Sequence, residues 1–108
     1  MIEVIYDRRK HWVTVRGHAH SDEPGKDLVC AAASILAYTL AGNAESLAQD
    51  TKGWHTPRIT LEEGNASIQA RPLTRMKYVT TVIFDSICSG FDILQSKYPQ
   101  YITYEVQG

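Results

Sequence analysis

A cysteine and a histidine lie on either side of a short polar segment, where they could act together as a catalytic pair. Cys30 follows Asp27, a good helix N-cap residue, at the start of an almost wholly apolar run, so we predict that it lies in the first turn of a helix. Its sulfur would face unpaired backbone N–H groups and the positive end of the helix dipole, a setting that favours the thiolate. His18 stands upstream, at the predicted end of a strand. A thiol and an imidazole joined by one loop are the minimum parts for covalent catalysis by a Cys/His pair.

The residues around this pair have both supporting and purely structural interpretations. Asp27 has two compatible roles: it would cap the helix, stabilising it by about 1 kcal/mol, and it would orient the imidazole as the third member of a triad. Capping is favoured. Ser34 follows Cys30 by four residues and shares its helix face, where it would support the thiol or bond back to the preceding turn. Gly17 and Gly25 would act as hinges of the loop, which we expect to move to admit substrate.

Two alternatives concern the same chemistry. His20 competes with His18 for the role of base, because only one residue separates them. A zinc ion held by these two histidines and Cys30 would have only three ligands, and the usual paired spacing is missing, so we predict no metal and no cofactor. Cys88 lies between apolar positions of a second predicted helix, and we interpret it as a buried structural thiol.

The segment 17–34 resembles the signature of the ribosomal-processing cysteine protease Prp family, once called YsxB-like proteins. Residues 17–19 match its Gly-His-Ala, Gly25 matches the glycine of its variable loop, and residues 27–31 match its Asp, aliphatic pair, Cys and small residue, with Ser34 beyond. The resemblance implies that Cys30 is the nucleophile. It also implies that His18, rather than His20, is the general base, which takes the thiol proton and later protonates the leaving amine.

The resemblance further implies an activity and an assembly. Family members are cysteine endopeptidases that remove a short N-terminal extension from a large-subunit ribosomal protein, and phage-encoded relatives would process phage structural proteins with similar extensions. They are small α/β sandwiches, usually homodimers, and need no cofactor. The N–H groups at the start of the helix, including that of Cys30, would stabilise the oxyanion.

Other function classes remain as alternatives. In a non-enzymatic ribosome-associated or assembly protein, Cys30 would be a core residue. A thiol hydrolase acting on a small molecule would lack any cofactor- or phosphate-binding motif to support it. Rapid alkylation of Cys30, but not of Cys88, at neutral pH would favour the enzyme over the assembly protein.

Length and composition indicate the number of domains, the partners and the cellular location of the protein. The 108 residues are predicted to form one domain, 1–108, and the net charge of −1 argues against direct nucleic-acid binding. The basic cluster at 8–10 is interpreted as a solvated hairpin turn. No apolar run approaches the roughly 20 residues of a membrane span, and the N-terminus is typical of a strand rather than a signal peptide. We therefore expect a cytoplasmic protein, with no membrane contact and with two free cysteines.

Hydrophobic periodicity predicts the elements that must position the site. Apolar alternation predicts strands at 2–7, 12–15, 58–62, 66–71 and 101–106. Helical spacing predicts helices at 28–49 and 74–97, and polar residues predict loops at 18–26 and 52–57. The first helix is apolar nearly all round in its first half, which predicts burial on most sides, and Gly42-Asn43 would kink or divide it. The order ββαββαβ indicates an α+β fold, a two-layer sandwich with a mostly antiparallel sheet and two helices on one face.

Overall fold

The computed structural model describes residues 1–18, 26–50 and 52–108, without the side chains of Lys26 and Asp50. His20, Gly25 and most of the loop expected to move lie outside the described residues, so expectations about them stay predictions. The described elements are, in order, β1 (Ile2–Asp7), β2 (Trp12–Arg16), α1 (Lys26–Asp50), β3 (Trp54–Glu62), β4 (Asn65–Pro72), a 3₁₀ turn (Thr74–Met76), α2 (Lys77–Lys97) and β5 (Ile102–Gln107). The predicted order ββαββαβ is confirmed.

The five strands form one sheet in the order β3-β4-β2-β1-β5. Neighbours along β3-β4-β2-β1 pair antiparallel, whereas β5 lies parallel to β1. A parallel neighbour needs a crossover connection, and α2 supplies it. Ile2, Val4 and Tyr6 of β1 are buried while Glu3 and Ile5 between them are exposed, so one face of the sheet is covered. Both helices pack on that face, which confirms the predicted α+β sandwich.

The core lies between this face and the two helices. The sheet, α1 and α2 contribute the following buried residues: Ile2, Val4, Tyr6, Val13, Ile68, Ala70 and Ile102; Val29, Ala33, Ala37, Leu40, Ala41 and Ala44; and Phe84, Cys88 and Phe91. The buried stripe of α1 consists mostly of alanine, which lets the helix axis approach the sheet closely. The larger rings of Phe84 and Phe91 fill the space beneath α2, and truncating either to alanine would cost about 3–5 kcal/mol.

α1 is one continuous helix, so Gly42-Asn43 neither divides it nor ends it. The side-chain amide of Asn43 donates a hydrogen bond to the carbonyl oxygen of Thr39, 2.8 Å away, inside the regular helix. Glycine costs a helix interior only about 1 kcal/mol relative to alanine. The packing of the helix on the sheet outweighs that cost.

The prediction that the first half of α1 is buried on most sides is wrong. Leu28, Ile35 and Tyr38 are 59%, 61% and 58% exposed. In a two-layer fold a helix has the sheet on one side only, so its opposite side faces solvent. The segment Asp27–Gln49 is long and apolar enough to cross a membrane by length and composition alone. Our expectation that no apolar run is that long is therefore wrong. The core helix of a soluble protein meets the same criterion.

β3 begins at Trp54, so the predicted loop at 52–57 is wrong from that residue onward. The strand contains Pro57, which has no N–H to donate, and its pairing with β4 is irregular between His55 and Arg58. Both features are tolerated because β3 is an edge strand. The indole N–H of Trp54 donates to the hydroxyl of Thr80 at 2.9 Å, which anchors the start of the strand to α2.

Arg8 is more than part of a solvated turn. Its guanidinium forms an ion pair with Asp85 of α2 at 2.9 Å. The hydroxyl of Tyr6 donates to the same carboxylate at 2.8 Å. Hydrogen bonds from Arg8 lower the pKa of Asp85, and the hydroxyl of Tyr6 acts in the same direction. This cluster ties the end of β1 to α2.

Candidate active site

A cleft of about 450 Å³ opens between α1 and the turn that joins β3 to β4. One wall is the face of α1 that carries Cys30 and Ser34, and the floor includes Ile2 and Val15 from the sheet. The other wall is the β3–β4 turn, residues 61–66. His18 completes the rim where the chain leaves β2. The cleft therefore collects residues that are distant along the chain.

The cleft brings together every predicted site residue within the described part of the chain. Its lining includes Cys30, His18, Asp27, Ser34 and Gly17. Asp27, Cys30 and Ser34 recur at helical spacing, so one face of α1 presents all three. The predicted shared face of Cys30 and Ser34 is confirmed.

α1 starts earlier than the sequence indicated, and this changes two assignments. The helix begins at Lys26, so Asp27 lies inside its first turn rather than at the N-cap. Cys30 is then the fifth helical residue, and its N–H falls in the i→i−4 pattern with the carbonyl of Lys26. Our expectation that this N–H is free for an oxyanion is wrong, because only the first N–H groups of a helix lack an internal acceptor.

The two cysteines occupy opposite environments. Cys30 is partly exposed, lines the cleft and packs against the edge of the core. Cys88 is fully buried, and burial raises the pKa of its thiol to about 12, although a hydrogen bond with Tyr104 acts in the opposite direction. The interpretation of Cys88 as a buried thiol is confirmed. Of the two, Cys30 is the thiol that a peptide could reach.

Gly17 directs the chain from β2 toward the cleft. Its φ of +117° is one that residues with a side chain rarely adopt, and a Cβ atom there would overlap the carbonyl oxygen of Met1. Its N–H donates to the carbonyl oxygen of Gly64 at 3.1 Å. These contacts require glycine at this position for close approach, whereas its role as a hinge stays a prediction. His18 follows at once, exposed at the rim.

The β3–β4 turn contains a residue that sequence reasoning missed. Glu62 pairs with Asn65, so Glu63 and Gly64 form a two-residue loop. Gly64 has φ +73°, close to the value of about +80° at the third residue of a type II turn. A Cβ atom at Gly64 would overlap the imidazole ring of His18. The sequence marks this glycine as a turn residue, but no local signal connects it to the histidine.

The electrostatic character of the cleft is acidic. Asp27, Glu62 and Glu63 are among its lining residues, and neither lysine nor arginine is among those that the structure describes there. In the described ranges, no three His, Cys, Asp or Glu side chains group closely enough to hold a metal ion. The chemistry that the described residues offer is attack by the thiol of Cys30, with the imidazole of His18 on the same rim.

Comparisons with known proteins bear on this arrangement. Residues 1–103 match the family model described as cysteine protease Prp. A search of curated protein sequences found no match. Among solved structures, SMU.848 from Streptococcus mutans is 28% identical, with a TM-score of 0.72 over 99% of this chain and 94% of that chain.

An essential ribosomal processing protease Prp from S. aureus has a similar fold. Its complex with a covalently linked product peptide is 23% identical, with a TM-score of 0.72 over 99% of this chain and 100% of that chain. Its complex with a substrate peptide is 20% identical, with a TM-score of 0.71 over 98% and 97%. At these identities the likeness to the S. aureus protein shows the fold.

Proposed function

Since the chain belongs to the cysteine protease Prp family and is a cysteine protease, we propose that it removes a short N-terminal extension from the precursor of a large-subunit ribosomal protein. The observation that carries the proposal is that Cys30 and His18 line one open cleft. The S. aureus protein of the same fold is a ribosomal processing protease that binds a substrate peptide. A phage structural protein with a similar extension is the other substrate that the proposal admits.

The residues of the cleft have defined roles in this proposal. His18 takes the proton of the Cys30 thiol, and the sulfur attacks the scissile carbonyl to form a tetrahedral oxyanion. The imidazolium then gives its proton to the leaving amine, which departs and leaves a thioester on Cys30. A water molecule, deprotonated by His18, hydrolyses the thioester and restores the thiol. The positive end of the α1 dipole lies on the side of Cys30 toward Asp27 and favours negative charge near the sulfur.

Asp27 and Ser34 act as supporting residues. Both lie on the face of α1 that carries Cys30 and line the same cleft. Asp27 orients the imidazole or favours the start of the helix by its charge, since a carboxylate in the first turn interacts favourably with the helix dipole. The hydroxyl of Ser34 forms a hydrogen bond near the thiol of Cys30.

The alternative of a non-enzymatic assembly protein required Cys30 to be a core residue. The membership of a protease family and the position of Cys30 on a cleft both favour the enzyme. The remaining properties in the proposal have other support: composition supports a cytoplasmic protein that does not bind nucleic acid directly, and the family resemblance implies a homodimer. The exposed apolar side chains of α1, Leu28 and Ile35, support an assembly with more than one copy.

The test is cleavage of precursor proteins that carry N-terminal extensions, one ribosomal and one from a phage structural protein. Cys30→Ala should abolish cleavage, because no other accessible thiol lines the described cleft, and His18→Ala should lower turnover roughly 10²–10⁴-fold. Cys88→Ala and His55→Ala are the matched controls, since neither residue lines the cleft.

The outcomes separate the parts of the proposal. Cleavage by Cys30→Ala at the wild-type rate would overturn the assignment of the nucleophile. An active His18→Ala together with an inactive His20→Ala would show that the wrong histidine was chosen. Alkylation of Cys30, followed by mass spectrometry, gives a readout that does not depend on knowing the substrate.

A further inference from the structure

We infer that Gly64, in the turn between β3 and β4, is a positioning residue for the imidazole of His18. The inference rests on the proposed function, in which His18 is the general base. Gly64 itself does not touch the reacting atoms; it acts through the ring that lies against it. A side chain at position 64 would displace that ring and thereby slow catalysis.

The first observation is steric. A Cβ atom at Gly64 would overlap Cε1 and Nε2 of His18 and would lie 3.0 Å from Nδ1. The part of the ring formed by Cε1 and Nε2 is therefore nearest to the turn. In the proposed function one ring nitrogen must exchange a proton with the Cys30 thiol, so a shift of the ring also moves the reacting nitrogen. Displacement of the ring by about 1 Å can cost on the order of 10²-fold in rate.

The second observation concerns the backbone. The register of β2 and β4 pairs Arg16 with Asn65, and the next pair outward is Gly17 with Gly64. The N–H of Gly17 donates to the carbonyl oxygen of Gly64 at 3.1 Å. The turn thus holds both the peptide before His18 and its ring. Two contacts from one residue restrict the position of the imidazole more than either contact alone.

The third observation is that the same turn is a wall of the cleft. Residues 61–66 line it opposite Cys30. A peptide in the cleft would contact this wall and the thiol together. The base is therefore held against the wall that would receive the substrate. Because the atoms nearest to a Cβ atom at Gly64 are those of the His18 ring, a change at Gly64 should affect turnover more than the affinity for peptide.

A comparison of two substitutions separates the steric role from backbone strain. Alanine and asparagine add the same Cβ atom, but asparagine tolerates a positive φ better than alanine does. We expect Gly64→Ala and Gly64→Asn to lower kcat by a similar factor, on the order of 10²-fold, with KM changed less than about threefold. Gly64→Asn should keep the higher Tm of the two. Gly42→Ala, which adds a methyl group in open space on α1, should leave kcat unchanged.

A double-mutant cycle with His18→Ala tests whether Gly64 acts through the ring. Removal of the ring makes room for the Cβ atom, so Gly64→Ala should have no further effect on cleavage or on the rate of Cys30 alkylation in that background. The double variant should also have a higher Tm than Gly64→Ala alone. This comparison holds even where the single variant is too unstable for kinetics.

The possible results distinguish this inference from the proposed function. Wild-type cleavage by His18→Ala would overturn the role of His18 and, with it, the positioning by Gly64. An inactive His18→Ala with fully active Gly64→Ala and Gly64→Asn would overturn the positioning alone. Full activity of Gly64→Asn beside an inactive Gly64→Ala would attribute the effect to backbone strain and would likewise overturn it.

Discussion

Burial determines the chemistry of the two thiols in this protein. Cys30 and Cys88 both lie on helices and both contact apolar residues. The structure separates them by placement alone, since α1 turns Cys30 toward the cleft while α2 turns Cys88 into the core. A thiol inside the core is stabilised in its neutral form, because the charged form loses its hydration there.

The burial of Cys88 predicts a loss of stability at alkaline pH. Its pKa is raised from 9.0 to about 12, so between these values the unfolded chain releases a proton that the folded chain retains. The free energy of unfolding should then fall with rising pH by up to about 1.4 kcal/mol per pH unit. Urea unfolding of wild type and Cys88→Ala between about pH 8 and pH 10, across the ordinary pKa of a thiol, measures this. Equal slopes for the two proteins would contradict the prediction.

The Tyr6, Arg8 and Asp85 cluster predicts unequal costs for its members. Arg8→Ala removes an exposed ion pair that solvent screens, so it should lower the free energy of unfolding only slightly. Asp85→Ala also removes the acceptor of the buried Tyr6 hydroxyl, which should cost about 1–3 kcal/mol. The exposed Asp92 on the same helix provides the matched control as Asp92→Ala. Urea denaturation at neutral pH ranks the variants, and an Arg8→Ala cost equal to that of Asp85→Ala would show that the hydroxyl contributes nothing.

At the scale of elements, the periodic segments were predicted well and their ends were not. Both helices and all five strands are present, but α1 starts two residues early and β3 starts at Trp54. Helix and strand ends depend on partners elsewhere in the fold: pairing with β4 extends β3 through Pro57, although proline is unfavourable in most strands. The early start of α1 moved Asp27 from the N-cap into the first turn.

The two helical glycines predict opposite responses to alanine. A Cβ atom added at Gly42 of α1 would have no neighbour within 4 Å, so Gly42→Ala should stabilise the fold by about 0.5–1 kcal/mol through helix propensity. Gly90 of α2 faces Leu36, whose Cδ2 would lie 2.7 Å from the new Cβ atom, so the same gain is offset by steric contact. Thermal unfolding should show a higher Tm for Gly42→Ala only. An equal increase for Gly90→Ala would contradict close packing of the two helices.

At the scale of the whole molecule, the fold has one covered face and one open one. A single sheet with two helices leaves the outer side of α1 exposed, with Leu28 and Ile35 more than half accessible to solvent. The same architecture leaves room between α1 and the β3–β4 turn for the cleft. The site and the exposed apolar side of α1 therefore have a common origin, the small number of layers that 108 residues can form.

The proposed homodimer predicts a measurable mass in solution. Sedimentation velocity at micromolar concentration should give a species of twice the 12.1 kDa of the chain. The buried apolar area of such an interface drives association, so the dimer should persist at high salt. A single species of 12.1 kDa across the concentration range would contradict it.

The features that depend on short stretches of chain could be predicted from the sequence. Apolar periodicity predicted the element order, and the motif at 17–34 predicted Cys30, His18, Asp27 and Ser34 as a group, which the cleft brings together. These patterns can be recognised in a sequence because residues three or four apart share one face of a helix and residues two apart share one face of a strand.

The tertiary structure alone decided what depends on distant strands and helices. The contact of Gly64 with His18 follows from the register of β2 and β4. Neither the glycine nor the histidine indicates this register in the sequence. The parallel pairing of β5 with β1 and the exposed side of α1 likewise follow from how the elements pack. The physical reason is that strand pairing and burial are set by the summed contacts of whole elements, whereas the local sequence encodes only the face that each element will bury.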